Sequence, residues 1–189
     1  MFWQRRLPHW TPEDSIVFVT WRLAGTLPIP MLTTEPEAGK KLQREDYELD
    51  RSTQGPLWLE IPGIATIFIE ALHHGEEVRG AYELLARVVM PNHVHVVLKP
   101  KEALHKIVRW LKATTANRAN RLMFKAGQPF WQREYYDHWI RNSKELASVI
   151  SYVESNPVQA GLAESVSDWR WSSASRAPAT RSPALPVRT

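Results

Sequence analysis

The sequence predicts an α+β fold, an antiparallel sheet with helices on one face and a further helix near the C-terminal end. Three observations predict it. Runs rich in β-branched and aromatic residues alternate with stretches of helical apolar spacing. Two of the strand-like runs are separated only by Pro91-Asn92, so they are antiparallel neighbours. The order is strand, helix, strand, strand, helix, strand, then one more helix. Its first six elements match the split βαβ, ferredoxin-like pattern, which hosts many chemistries and selects none.

The first strand is Ser15 to Leu23, Ser-Ile-Val-Phe-Val-Thr-Trp-Arg-Leu. An insertion-like segment, 25–63, follows, with a helix expected around Gly39 to Asp50 and an extended stretch near Leu57 to Ile61. The next helix runs from Ala65 to His74, with Ile64, Ile67, Phe68 and Leu72 at helical spacing and Gly75 as its stop. Strands at Tyr82 to Met90 and His93 to Lys99 form the tight hairpin. A long helix, Ala103 to Lys125, carries Leu104, Ile107, Val108, Leu111 and Leu122 along one stripe, and Gly127 ends it. Tyr135 to Arg141 is the fourth strand. Asn142 with Glu145 three residues later is a capping-box signature. It opens a helix with Leu146, Val149, Ile150 and Val153 as its buried stripe, ending at Asn156-Pro157 because a residue before proline avoids helical geometry. Residues 172–189 have no acidic side chain and little to bury, and read as a disordered basic tail to a single domain, 1–171.

A chain of 189 residues with 43% hydrophobic and 23% charged residues can bury a globular core. No apolar run reaches membrane-spanning length and Met1 to Arg6 lacks the apolar stretch of a signal peptide, so no membrane partner and a cytoplasmic location are expected. The absence of cysteine excludes disulfides, thiolate zinc sites and thiol catalysis. Between Ala103 and Arg133 there is no acidic residue, whereas Lys106, Arg109, Lys112, Arg118, Arg121, Lys125 and Arg133 are basic. That is either a solvated helix face or a surface for an anionic partner such as nucleic acid. Most of the nine tryptophans belong to packing; a few could stack on unpaired bases.

His93 and His95 lie two apart on a strand and so share a face. A bare His-x-His is usually two strand histidines. Here apolar residues on both sides, from Val88 to Leu98, indicate a central strand, where two polar rings need partners and a metal ion is a good one. Tyr152 sits at the edge of the last helix's apolar stripe. It is either a boundary tyrosine with a wet hydroxyl or a phenolic nucleophile activated by a neighbouring metal. Asn156, one turn further, is a helix-terminal residue or a third ligand through its amide oxygen.

Several segments together resemble a known family. Met90-Pro91-Asn92-His93-Val94-His95 is similar to the His-hydrophobic-His motif of HUH nucleases. Phe130-Trp131-Gln132, Tyr136-Asp137-His138-Trp139-Ile140-Arg141-Asn142, and the run from Tyr152 through Asn156-Pro157 to Leu162 resemble the REP-associated tyrosine transposases. The resemblance extends from about Ser15 to Trp171, outside 25–63. It implies that His93 and His95 bind a divalent metal, Mg²⁺ or Mn²⁺, that Asn156 completes the site, and that Tyr152 is the nucleophile in preference to Tyr135 or Tyr136. The implied activity is nicking and strand transfer of single-stranded DNA at hairpins through a 5′-phosphotyrosine, without ATP; the sequence has no Gly-x-x-x-x-Gly-Lys phosphate loop. Lys112, Arg118, Arg121 and Lys125 become candidate DNA contacts, Arg141 and His138 become either DNA contacts or side chains that orient active-site groups, and the tail arginines add a non-specific term. The resemblance leaves monomer or homodimer undecided. Two other readings stand beside it: a hydrolase in which the metal activates water and Tyr152 is structural, and a hairpin-binding protein that does not cut.

Overall fold

The computed structural model describes residues 15–26 and 55–175. β1 (Ile16–Arg22) is buried except at its two ends. A 3-10 turn at Trp58–Glu60 leads into α1 (Pro62–His73), whose first position is a proline, where the missing N–H has no intrahelical partner to lose. A π turn, His74–Val78, precedes β2 (Tyr82–Val89), and Pro91-Asn92 joins β2 to β3 (His93–Pro100). α2 (Leu104–Leu122), β4 (Tyr136–Ile140) and α3 (Ser143–Gln159) complete the order. The sheet order is β2-β3-β1-β4 with every neighbouring pair antiparallel, as the split βαβ pattern requires.

Alternation along β1 and β3 builds two cores. Val17, Val19 and Trp21 of β1 and Val94, Val96 and Leu98 of β3 face α1 and α2, meeting Ile64, Phe68, Leu72, Ile107, Val108 and Leu111. The opposite side chains, Phe18 and Val97, join Ala86, Val88 and Met90 beneath α3, which contributes fully buried Val153 and partly buried Leu146, Val149 and Ile150. Each large apolar side chain buried there stabilises by about 1.5–3 kcal/mol. β1 and β3 are therefore apolar on both faces, and polar groups among them stand out.

α3 is capped at both ends. Asn142 Oδ1 accepts from Glu145 N at 2.9 Å, as the sequence indicates, but the Glu145 carboxylate reaches back to Arg141 N, at 2.7 Å. At the other end Leu162 N donates to Pro157 O and Gly161 N to Val158 O, with Gly161 at φ 71°, the two bonds of a Schellman cap. The helix thus continues through Pro157 instead of ending before it. Proline inside a helix forfeits one hydrogen bond, and here the burial of Pro157 and Asn156 accompanies the continuation.

Four further expectations are corrected. Residues 58–60 form a 3-10 turn and not an extended stretch. Gly75 does not stop α1; it lies buried in the π turn against Tyr82, whose hydroxyl donates to Leu72 O. Leu122 is 51% exposed and leaves the α2 stripe, and α2 ends at Leu122, with Phe124 at positive φ, before Gly127 is reached. Finally, the chain beyond Trp171 continues to pair with the sheet. Val89 N donates to Trp171 O, Ser173 N donates to Arg87 O, and Ser172 bridges Val88, so residues 171–173 line the outer edge of β2. The helix expected at Gly39 to Asp50, most of the insertion-like segment and residues 176–189 of the tail lie outside the described residues. No helix among the described residues is long and apolar enough to cross a membrane.

Candidate active site

Strand register brings the candidate residues together. Across the α3 side of the sheet, one row reads Val88, His95, Thr20 and Tyr136; the next toward the Pro91-Asn92 turn pairs His93 with Arg22. Both imidazoles are completely buried. Thr20 Oγ1 donates to Val94 O at 3.0 Å and ties β1 to β3 beside them. His95 stacks on Phe18 with ring centroids 5.4 Å apart, and the Tyr152 ring stands 5.9 Å from His95. Asn156, one turn along α3 from Tyr152, is buried, and its Oδ1 accepts no hydrogen bond among the described residues.

The imidazole pair has a defined geometry. His93 Nδ1 is 2.6 Å from Asn92 Oδ1, and an amide oxygen only accepts, so Nδ1 carries the proton. The lone pair of His93 is then on Nε2, which lies 3.0 Å from His95 Nε2. Burial pushes the His95 imidazole down to about 3, so it is neutral near pH 7 and able to act as a ligand. A backing hydrogen bond of the kind made by Asn92 is what orients metal-binding histidines. Two nitrogens 3.0 Å apart can share one metal ion at the ordinary imidazole distance of about 2.1 Å. Among the described residues no group of three or more His, Cys, Asp or Glu gathers in one place. The donors available to a metal are the two imidazoles, with the buried amide oxygen of Asn156, which accepts no hydrogen bond among the described residues, as the third candidate.

Of the competing tyrosines, Tyr135 is buried in the main core, on the far side of the sheet. Tyr136 shares the face of the histidines and contacts Phe18, with ring centroids 6.4 Å apart. The candidate DNA contacts are not drawn into this cluster. Lys112 Nζ donates to the carbonyls of Gln132, Arg133 and Glu134, so it clamps the loop before β4. Arg118 pairs with Glu70 of α1. Arg121 is exposed in the last turn of α2, and Lys125 Nζ sits 4.5 Å above the Trp58 ring. Arg141 is exposed next to Trp139. α2 packs on the face opposite His93 and His95.

Arg22 is a neighbour of the site not named among its candidates, and His138, a candidate DNA contact or orienting group, finds its partner in Glu145. Arg22 is the cross-strand neighbour of His93; a cation ending an otherwise apolar strand was the available signal. His138 Nε2 donates to Glu145 at 2.9 Å and links β4 to the first turn of the helix that carries Tyr152. Burial alone would raise the Glu145 carboxyl, but the hydrogen bonds from His138 and Arg141 N, and the charges of both residues, hold it below its usual range. The pair follows from the register of β4, which spacing alone does not give.

Residues 67–156 match the sequence family described as "Transposase IS200 like". A REP-associated tyrosine transposase of Escherichia coli is 30% identical over 93 residues, 48% of this chain and 53% of the relative. A Haemophilus influenzae protein assigned to the same group is 30% identical over 104 residues, 49% of this chain and 58% of that protein. The chain thus spans a little over half the length of these relatives. Among solved structures, a REP-associated tyrosine transposase bound to a REP hairpin superposes with a TM-score of 0.62 at 21% identity, over 89% of this chain and 82% of that one. The resemblance and the fold read from the sequence are both borne out.

Proposed function

We propose, from this likeness to the IS200-like and REP-associated transposases, that the chain is a single-tyrosine DNA transposase that nicks and rejoins single-stranded DNA at hairpins. The observation that carries the reading is the juxtaposition of Tyr152 with the imidazole pair, its ring 5.9 Å from His95 and the two Nε2 atoms 3.0 Å apart. The family match supports the class of reaction. The hairpin held by the solved relative supports the choice of partner.

His93, His95 and Asn156 would hold Mg²⁺ or Mn²⁺, which when bound draws charge from the scissile phosphate oxygens. Tyr152 supplies the nucleophile. Its Oη forms a bond to phosphorus as the bond from phosphorus to the 3′-oxygen breaks; the phenolic proton passes to water and the departing 3′-oxygen takes one up. A free phenol titrates near ~10, so the site must orient the tyrosine well and offer it a polarised phosphate. Phe18 and His95 flank its ring. The Asn142 cap and the His138–Glu145 link fix the start of α3. The phosphotyrosine keeps the phosphodiester's energy, so a 3′-hydroxyl of another strand end can reverse the step without ATP. Arg22, the cross-strand neighbour of His93, would add positive charge for a phosphate there.

The test is a denaturing gel of the protein with labelled single-stranded hairpin DNA and Mn²⁺. A slow band that survives denaturation and is lost in Tyr152→Phe is the expected result. Cleavage without that band would assign a hydrolase, and a native-gel shift without cleavage would assign a binding protein.

A further inference from the structure

The end of α2 carries a side chain that folding does not explain. Phe124 is 97% exposed, and its backbone φ is 57°. That left-handed conformation is an outlier for a bulky residue and is normally left to glycine or asparagine. An aromatic ring held in water gains nothing from burial. The backbone bonds are those of a helix C-cap: Met123 N donates to Ala119 O, Phe124 N to Arg121 O, and Lys125 N to Asn120 O, a Schellman arrangement that accounts for the left-handed φ but not for an exposed phenylalanine at that position.

Its surroundings are cationic and aromatic. Arg121 is exposed one turn before it, and Lys125 lies over Trp58, which stacks on Phe130. Topology sets this cluster at the same end of the molecule as the candidate active site. β3 leads away from His93, and α2, about 28 Å long, runs back along a strand of about 27 Å. Backbone bonds show the return: Leu59 N donates to Pro91 O beside Asn92, and Ala24 N, just past Arg22, donates to Phe130 O.

We infer that Phe124 is a stacking platform for an unpaired base of the DNA flanking the hairpin, with Arg121 and Lys125 on the adjoining phosphates. The inference rests on the proposed function and adds a contact for the single-stranded flank, on the far side of the sheet end from Tyr152. An aromatic face accepts any base, and phosphate cations add affinity without sequence choice, so the surface holds the strand without reading it.

The test measures affinity by fluorescence anisotropy in EDTA, with a hairpin bearing a single-stranded flank and with the same hairpin made blunt. Phe124→Ala should weaken binding of the flanked hairpin by about tenfold, ~1.4 kcal/mol, within the range for one stacked base. It should leave the blunt hairpin unchanged, and Phe124→Trp should restore the flanked affinity. Equal affinity of wild type and Phe124→Ala for the flanked hairpin would overturn the inference. So would an equal loss on both DNAs, or a wild type that sediments as a dimer where Phe124→Ala is a monomer, which would assign the ring to a second copy. Failure of the proposed function reads out separately. A protein that needs Phe124 for the flank yet forms no covalent adduct keeps this surface and loses the chemistry; one that forms the adduct with Phe124 dispensable does the reverse.

Discussion

Replacing Asn156 with leucine should make the metal-free protein more stable and the metal-treated protein less responsive. The Asn156 Oδ1 atom is buried and accepts no hydrogen bond among the described residues. A buried acceptor left unsatisfied costs about 1–3 kcal/mol, and an apolar residue of the same shape removes that cost. Leucine is also the better helix former, by several tenths of a kcal/mol. For a chain of this size each kcal/mol moves the melting temperature by about 2–4 °C, so Asn156→Leu in EDTA should melt several degrees above wild type. If the oxygen is a ligand, wild type in Mn²⁺ at about a hundred times its Kd gains about 2.7 kcal/mol, or roughly 5–10 °C, and the variant loses most of that gain. Thermal unfolding by circular dichroism, with and without Mn²⁺, reads both effects. A variant that melts below wild type in EDTA, or that gains as much from Mn²⁺, would refute the assignment of Asn156 to the metal.

Two further outcomes concern stability. Burial holds His95 at about 3 in the folded chain, against ~6.5 when unfolded. Between these values the unfolded chain binds a proton that the folded one does not, so stability is full above pH ~6.5 and is lost as pH falls toward 3, by at most about 1.4 kcal/mol per unit. Urea titrations in EDTA at pH 7, 6 and 5 should show this slope, reduced in His95→Gln; an unchanged slope in the variant would remove His95 as its source. Gly75→Ala should destabilise by about 1–3 kcal/mol through overpacking. The new methyl would lie 2.8 Å from Cζ of fully buried Tyr82, whose hydroxyl is held by Leu72 O at 2.7 Å. A wild-type urea midpoint in that variant would show that the ring can retreat.

Most of the fold was legible because the signals were local. Pro91-Asn92 between two apolar runs dictated the hairpin, alternation put His93 and His95 on one face, and Asn142 marked the start of α3 through a bond the structure contains. The misreadings came from tertiary context. Pro157 is carried inside α3 by burial that the pre-proline rule does not see. Leu122 looked like core because it has the right residue type, but it lies in the last turn of α2 with half of its surface exposed. Gly75 is required for close approach to Tyr82, seven residues away in sequence, and a glycine after a helix looks the same whether it caps or makes room. At the site, the His pair and the Tyr152–Asn156 spacing were readable, whereas the His138–Glu145 link and the nearness of Arg22 to His93 depend on which strands become neighbours.

The central place of β1 also sets an order in time. It pairs with β3 on one side and β4 on the other, and its Thr20 hydroxyl bonds a carbonyl 74 residues downstream. At a synthesis rate of about 5–20 residues per second, roughly 4–15 s pass before that partner is made. During that interval Val17-Phe18-Val19 has neither edge paired and neither face covered by its final neighbours, the condition in which strands associate with other chains. A segment fully buried in the finished protein is thus one a ribosome-bound chaperone has reason to hold, and a recombinant fragment that starts at residue 67, as the family match does, would lack the strand joining β4 to the rest of the sheet.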